Sequence, residues 1–190
     1  INMADSGWGT RGPRVQNDRA GEVGRQLNVK YFDMERIFAE DGAKIVHMSG
    51  LIAALSEDAS QFCLEIARAA KKHGARISFD LNHRASFWHG REAELSAAFK
   101  EIASLSDILI GNEEDFQLCL DIQGPEAGGE DIGAKIDGFK EMIQRVKQEY
   151  SGASLFATTL REVESANSHM WGAIVSSGDD WHVVKPREIG

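Results

Sequence analysis

The sequence is short of basic residues, and this shortage excludes one large class of partner. Lys and Arg number 21 against 30 Asp and Glu, which gives 190 residues a formal net charge of -9. Such a surface repels phosphate backbones, so we expect no nucleic-acid partner, and a site for an anionic metabolite must be locally basic. There is also no run of about 18 apolar residues, so we expect no membrane span. The first residues resemble neither a signal peptide nor a transit peptide, and we expect a cytoplasmic protein.

Cysteine is scarce as well. Cys63 and Cys119 are the two cysteines. Both fall in helical patterns, far apart in the sequence and without a CxxC pair. We interpret them as small apolar helix residues in a reducing compartment, with a disulfide or a catalytic thiol as the alternatives.

Two common nucleotide-binding motifs are missing. The glycine-rich stretch 124–133 contains neither GxGxxG nor a GxxxxGKS or GxxxxGKT motif. Those loops cradle phosphates at the start of a helix in Rossmann and P-loop proteins. The sequence therefore gives no support for a nucleotide site of either kind, and the stretch is typical of a surface loop.

What the sequence does contain is an alternation of apolar strands and amphipathic helices. Hydrophobic residues make up 42% of the chain, enough for one core and, we expect, one domain. The predicted elements are a loop over 1–12, short strands at 13–18, 44–48, 76–80, 107–110 and 154–159, helices at 33–40, 56–73, 92–104, 112–120 and 136–150, and a hairpin joining 171–176 to 181–184. This order predicts a mainly parallel sheet covered by helices on both faces.

Polar side chains follow two successive predicted strands. Asp80, Asn82 and Arg84 come at the end of one strand, and the cluster Asn112 to Asp115 follows the next. Open α/β sheets place their ligand sites at the carboxyl ends of the strands, so the two clusters predict one crevice lined from both.

The polar and charged residues at these positions each have a structural interpretation beside a functional one. A guanidinium at position 84 can grip a carboxylate or a phosphate with two parallel hydrogen bonds, or it can form an ion pair with Asp80. Asn112 and the acids after it form either an ordinary helix N-cap or a site that holds Mg²⁺ through water beside a phosphate. Arg19, just after a candidate strand, has a solvated loop arginine as its simplest interpretation.

Four stretches of the sequence together resemble one family. FDLNHRASFW at 79–88 is similar to the FDxNxRxxxW stretch of PfkB-type carbohydrate kinases, the ribokinase-like family, and DILIGNEED at 107–115 to that family's strand ending in NxxE. HMSGLIAALS at 47–56 resembles its HLSGI-type strand and turn, and TTLREVESANSHMWGA at 158–173 resembles a strand-loop-strand segment flanking the nucleotide. Within the family the resemblance is greatest to the 2-keto-3-deoxygluconate kinases. It implies a three-layer α/β/α ribokinase-like core.

The resemblance implies that two arginines bind the substrate. Arg19 matches the arginine of a YxR-type element that reaches the substrate in sugar-acid kinases, and Asn17 stands where a tyrosine is common. Arg84 matches the arginine near the substrate carboxylate.

The resemblance also implies ATP and Mg²⁺ as cofactors. Asn112 matches the asparagine of NxxE, which is tied to Mg²⁺ and phosphate. Asp115 takes the place of the glutamate of that motif and is the implied metal residue, on a shorter arm. Thr159 and Arg161 lie where such kinases approach the ATP phosphates, so the implied cofactor-binding residues are Asn112, Thr159 and Arg161.

Two elements of the family are missing from the sequence. The family begins with strands that carry a Gly-Asp or Gly-Gly element for the sugar, and it ends with a DxxGAGD-type motif that supplies an anion hole and the general base. Neither occurs here. We therefore expect residues 1–190 to be the central part of a single kinase domain, incomplete at both ends. Its catalytic residue is unknown, it should be inactive alone, and its uncovered edges favour a homo-oligomer.

The implied function of the parent protein is ATP-dependent phosphorylation of a sugar acid such as 2-keto-3-deoxygluconate. One alternative is a kinase for a neutral sugar such as fructose, in which Arg84 is only structural. The other is a non-catalytic domain that binds a sugar acid.

Overall fold

The computed structural model describes residues 2–5, 14–17, 22–125, 135–163 and 168–189. In chain order its strands and α-helices are β1 (Asn2–Asp5), β2 (Arg14–Asn17), β3 (Ile45–Ser49), α1 (Gly50–Ala54), α2 (Glu57–Lys72), β4 (Arg76–Asp80), α3 (Ala85–Trp88), α4 (Glu92–Leu105), β5 (Ile108–Ile110), α5 (Glu113–Leu120), α6 (Ile136–Glu149), β6 (Leu155–Val163), β7 (His169–Ser177) and β8 (Asp180–Ile189). Two 3₁₀ turns, Val23–Gln26 and Val29–Tyr31, and a π-helical turn, Arg36–Glu40, precede β3. No helix in the described ranges is long and apolar enough to cross a membrane.

Six strands form one mixed sheet in the order β3-β4-β5-β6-β7-β8. The first four are parallel, β7 pairs antiparallel with β6, and β8 pairs antiparallel with β7. Each parallel neighbour is joined to the next through helices, as parallel pairing requires. The predicted four parallel strands in one sheet are therefore confirmed, and so is the predicted hairpin.

One face of this sheet carries the hydrophobic core. Ile77, Phe79, Leu109 and Phe156 are fully or almost fully buried there, and Phe79 meets the ring of Phe99 from α4 edge-on at 5.3 Å. Along the same side, α2 packs against α4, α4 against α5 and α5 against α6. The mainly parallel α/β fold is thus confirmed.

The opposite face of the sheet is less covered by the described residues. Positions that alternate with the core residues point to this face, because successive side chains of a strand point in opposite directions. Ile45 is 49% exposed and Ile108, Ile110 and Leu155 are half-buried, whereas Ile77, Phe79, Leu109 and Phe156 on the core face are closed off from water.

The longest helix begins where the sequence predicts. Ser56 is the N-cap of α2, and its hydroxyl accepts a hydrogen bond from the amide of Ala59 at 3.1 Å. The same hydroxyl donates to the carbonyl of Arg25 at 2.6 Å, which fixes the preceding 3₁₀ turn to the helix. Cys63 in α2 and Cys119 in α5 are both buried and free, so their interpretation as apolar helix residues is confirmed.

The structure corrects two local predictions. Residues 1–12 were expected to form a loop, but Asn2–Asp5 is a strand that pairs antiparallel with β2. The four residues Asn-Met-Ala-Asp show no apolar-polar alternation that would mark a strand, so the pairing partner decides their conformation. The short helix α1 was not expected, because Ser49 and Gly50 look like the end of a strand and not the start of a helix. Most of the glycine-rich stretch 124–133 lies outside the described residues.

Candidate functional site

The candidate site lies where the parallel strands end. The segments after β4 and β5 leave the same edge of the sheet, because both strands run in the same direction. Leu81 follows β4, and its amide donates to the carbonyl of Ile110 at 2.8 Å. This bond holds the segment after β4 against the end of β5.

A close approach between backbones fixes the other side of this segment. A side-chain carbon on Gly50 would lie 2.1 Å from the Leu81 carbonyl oxygen and 2.5 Å from the Phe99 ring. Asn82 has a left-handed φ of 40°, and its side-chain amide donates to the hydroxyl of Ser49 at 2.9 Å. The segment after β4 is thus tied to β3 as well as to β5.

Asn112 is the N-cap of α5 and forms a capping box with Asp115. The Asn112 side chain accepts from the Asp115 amide at 2.8 Å, and Asp115 Oδ2 accepts from the Asn112 amide at 2.9 Å. The N-cap interpretation of Asn112 is therefore confirmed. A helix N-terminus with its orphan amides is also a place where anions bind, so the cap does not remove the nucleotide-side interpretation.

Asp115 makes a second contact that reaches across the site. Its Oδ1 accepts a hydrogen bond from the amide of His83 at 2.8 Å, and the side chain is buried at 7% exposure. The carboxylate therefore joins the segment after β4 to the first turn of α5.

Arg84 leaves this segment with an exposed side chain. Its Nη1 donates to the carbonyl of His83 at 2.7 Å. Among the described residues no ion pair within 4 Å joins Arg84 to Asp80, so the alternative of a direct strand-end ion pair is not observed. The guanidinium keeps donors that can reach a ligand at the carboxyl edge of the sheet.

Asp80 lies at the end of β4 in the same region. Partial burial raises the pKa of its carboxyl group, and the nearby charge of Asp115 raises it further. His47 and Arg84 act in the opposite direction. Charges of both signs therefore converge on this edge of the sheet.

Thr159 and Arg161 lie on a part of β6 that extends past its neighbour. The last β6 residue paired with β5 is Ala157, whose carbonyl also accepts from the amide of Gly111 at 3.1 Å. Beyond it β6 pairs with β7 alone, and both Thr159 and Arg161 are exposed. The Arg161 guanidinium lies over the Trp171 ring at 5.3 Å from its centroid.

The structure therefore brings together three of the six predicted site residues. Arg84, Asn112 and Asp115 lie around one bonded junction, and Thr159 and Arg161 are on the next strand along the sheet. Arg19 lies outside the described residues, so its position stays a prediction.

Three participants were not identified from the sequence. They are Ser49, Gly50 and the backbone amide of His83. Only the pair Ser49-Gly50 carried a local signal, as the stop after a strand. The partners of all three are about 30 residues away in the sequence, and no local pattern reports them.

A cavity of about 400 Å³ adjoins the site on the helical side. It is lined by residues of α3, α4 and α5 and of the segments next to them, among them His83, Trp88, Glu92, Leu118 and Asp121. Its lining includes the carboxylates of Glu92 and Asp121 and, among the described residues, no lysine or arginine. An anionic substrate suits the Arg84 edge better than this cavity.

Comparisons with known proteins agree with this geometry. The profile of the pfkB family carbohydrate kinases matches residues 27–160. A 5-dehydro-2-deoxygluconokinase from Clostridium tetani is 29% identical over 140 residues, which is 73% of this chain and 40% of that protein. The crystal structure of 2-dehydro-3-deoxygluconokinase from Thermotoga maritima superposes with a TM-score of 0.84 at 27% identity, and it covers all of this chain and 54% of that one.

A more distant structure shares the fold alone. It is a ribokinase II candidate from E. coli in complex with ATP and Mg²⁺, with a TM-score of 0.63 and 18% identity over 95% of this chain and 48% of that one. The chain thus spans about half the length of the proteins it matches. Since the family profile covers most of the sequence and the sheet has the same architecture, the chain belongs to the pfkB family of carbohydrate kinases.

Proposed function

We propose that this chain supplies substrate and nucleotide contacts of an ATP-dependent kinase for a sugar acid of the 2-keto-3-deoxygluconate type. The observation that carries this proposal is the exposed Arg84 guanidinium at the carboxyl end of β4, held beside the N-cap of α5. A guanidinium binds a carboxylate with two parallel hydrogen bonds, and a neutral sugar offers no such group. Relatives named for the phosphorylation of deoxygluconate derivatives support the same choice.

The charge balance of the protein strengthens this argument. A net charge of -9 repels an anion, so a sugar acid needs local positive charge. Arg84 provides it at the sheet edge. Arg19 is proposed as a second substrate arginine, on the basis of its motif alone.

Asn112, Thr159 and Arg161 are proposed for the phosphate side of the site. Asn112 lies at the positive end of α5, which favours an anion. Thr159 offers a hydroxyl and Arg161 a guanidinium from the exposed extension of β6. Two exposed donors on β6 and the start of α5, which follows the adjacent strand β5, suit a polyphosphate that runs along the edge of the sheet.

Mg²⁺ is proposed as the partner of the nucleotide, with Asp115 reaching it through water. No group of three or more His, Cys, Asp or Glu side chains in the described ranges is arranged to hold a metal directly. Mg²⁺ usually keeps several waters and binds through one or two carboxylates and the substrate phosphates. Each oxygen of Asp115 accepts one amide and retains a second lone pair, which fits an outer contact. When bound, the ion neutralises charge that develops on the transferred phosphoryl group.

The general base is not assigned to any residue of this chain. A base must lie within hydrogen-bond reach of the reacting hydroxyl. Asp80 and Asp115 are the carboxylates nearest the site, and neither is followed by a glycine turn whose amides could receive the phosphoryl charge. The proposal therefore includes that the 190-residue chain alone does not turn over substrate.

The test is a coupled ADP-release assay with ATP, Mg²⁺ and 2-keto-3-deoxygluconate, and with fructose as the neutral sugar. It is run on the 190-residue chain and on the same chain within its full reading frame, with the Thermotoga maritima enzyme as the positive control. We expect turnover of the sugar acid by the longer protein alone. Turnover by the short chain at a comparable rate would show that the catalytic residues lie within it, and a preference for fructose would refute the sugar-acid proposal.

The role of Arg84 is tested in the longer protein. Arg84→Ala should raise KM for the sugar acid about tenfold to over a hundredfold, because a charge-assisted bidentate contact is worth roughly 1.5–3 kcal/mol. Arg76→Ala is the matched control, since Arg76 is an exposed arginine at the amino end of the same strand, away from the site. An unchanged KM in Arg84→Ala, or an equal rise in Arg76→Ala, would count against the carboxylate role.

A further inference from the structure

The segment that carries Arg84 has no regular structure of its own and is held by three tethers. The Leu81 amide binds the Ile110 carbonyl, the Asn82 side chain binds Ser49, and the His83 amide binds Asp115 Oδ1. The third tether is the nearest to Arg84 in sequence. It is also the one whose acceptor is a carboxylate oxygen, and hydrogen bonds to carboxylates are about twice as strong as neutral ones.

Asp115 does more than a helix cap requires. A capping box is complete when Asp115 Oδ2 accepts from the Asn112 amide and Asn112 accepts in return. The remaining oxygen, Oδ1, accepts a hydrogen bond at 2.8 Å from the amide of His83, which is 32 residues earlier in the chain. Both oxygens of a buried carboxylate therefore hold backbone atoms, one on each side of the proposed site.

We infer that Asp115 is a positioning residue that locks the Arg84 segment to the start of α5, and so sets the distance between the substrate arginine and the phosphate side. This inference rests on the proposed function for the roles of Arg84 and Asn112. It adds a role to the water-mediated Mg²⁺ contact proposed for Asp115, because that contact would use the second lone pair of either oxygen.

The lock itself is tested in the 190-residue chain, without any assay of activity. Asp115→Asn keeps the shape of the side chain but replaces one acceptor oxygen by an NH₂ group, so one of the two amides loses its partner. By NMR-detected hydrogen exchange, we expect the amide of His83 or of Asn112 to exchange roughly tenfold to a hundredfold faster. Unchanged exchange at both amides would overturn the inference.

Asp107→Asn is the matched control. Asp107 Oδ2 accepts from the amide of Ile77 at 2.8 Å, so it makes the same kind of bond to β4 at the opposite end of the strands. Asp107→Asn should speed up hydrogen exchange only at that end of the strands, for example at the amide of Ile77. If Asp115→Asn does not fold, a through-hydrogen-bond scalar coupling between the His83 amide nitrogen and the Asp115 carboxyl carbon in the unmodified chain decides the question, and its absence would overturn the lock.

The functional consequence is read from KM in the longer protein. Asp115→Asn should raise KM for the sugar acid as well as for ATP, by about tenfold each, because both sides lose their shared support. Asp107→Asn, which only destabilises the sheet, should leave both KM values unchanged. A rise in the KM for ATP alone would limit Asp115 to the phosphate side and overturn its positioning of Arg84. The proposed function and the positioning role can fail separately. If the unmodified longer protein shows no turnover while the His83 tether is intact in the short chain, the proposed function fails and the tether stands.

Discussion

Gly50 is the residue whose substitution best tests the packing of the site. It is buried as the first residue of α1, and a Cβ atom there would lie 2.1 Å from the Leu81 carbonyl oxygen and 2.5 Å from Phe99. The carbonyl has little freedom to move away, because the Leu81 side chain is fully buried and its amide is bonded to Ile110. Gly50→Ala must therefore displace either α1 or the segment that leads to Arg84.

Two opposing effects set the size of the expected loss. Alanine is favoured over glycine in a helix by about 1 kcal/mol. Overpacking a tight interior costs roughly 1–3 kcal/mol, and a backbone contact at this distance belongs at the upper end. We expect Gly50→Ala to lower the free energy of unfolding by about 2 kcal/mol net.

Urea unfolding followed by circular dichroism measures this loss. With a slope of roughly 2 kcal/mol per molar urea, the midpoint should fall by about 1 M. Gly152→Ala is the control, because its added Cβ would meet only the Ser104 carbonyl at an ordinary 3.6 Å; it should change stability by less than about 0.5 kcal/mol. A midpoint for Gly50→Ala equal to or above that of the unmodified protein would refute the close approach at Leu81.

Two further predictions concern α2 and α5. The native protein should not react with a thiol reagent such as DTNB at mildly alkaline pH, because burial raises the pKa of Cys63 to about 12 and also raises the pKa of Cys119; both thiols should react once the chain is unfolded in guanidinium, and rapid reaction of the folded protein would contradict their burial. Ser56→Ala should cost about 1–2 kcal/mol in the same urea experiment, since it removes both the cap of α2 and the bond to Arg25. Ser104→Ala, which removes an exposed local hydrogen bond, should cost clearly less, and equal losses would argue against the cap.

Much of the fold could be predicted from the sequence because its signals are local. The strand near 76–80 is a short apolar run between a glycine and polar residues, and α2 begins at a serine followed by two acids. Parallel pairing then follows from the alternation of strands and helices. β1 could not be predicted in this way, because a four-residue strand without alternation takes its conformation from its partner.

The candidate site was predicted in part for the same reason. Arg84 and Asn112 were found because each follows a strand, and because their motifs resemble those of a known family. The contacts that orient them join residues about 30 positions apart, such as His83 with Asp115. A contact of this kind depends on the register between strands, which sequence patterns do not report.

Sequence patterns alone predict the alternation of elements, the cap of α2, the N-cap at Asn112 and the family to which the motifs belong. These depend on hydrophobic period and on hydrogen bonds within a few residues of one another. Two features come from the packing of distant segments: Arg84 makes no direct ion pair with Asp80, and the two oxygens of Asp115 bind different segments. Both outcomes follow from how β4 and β5 lie side by side, because a carboxylate binds whichever amides the packing of the sheet brings within reach.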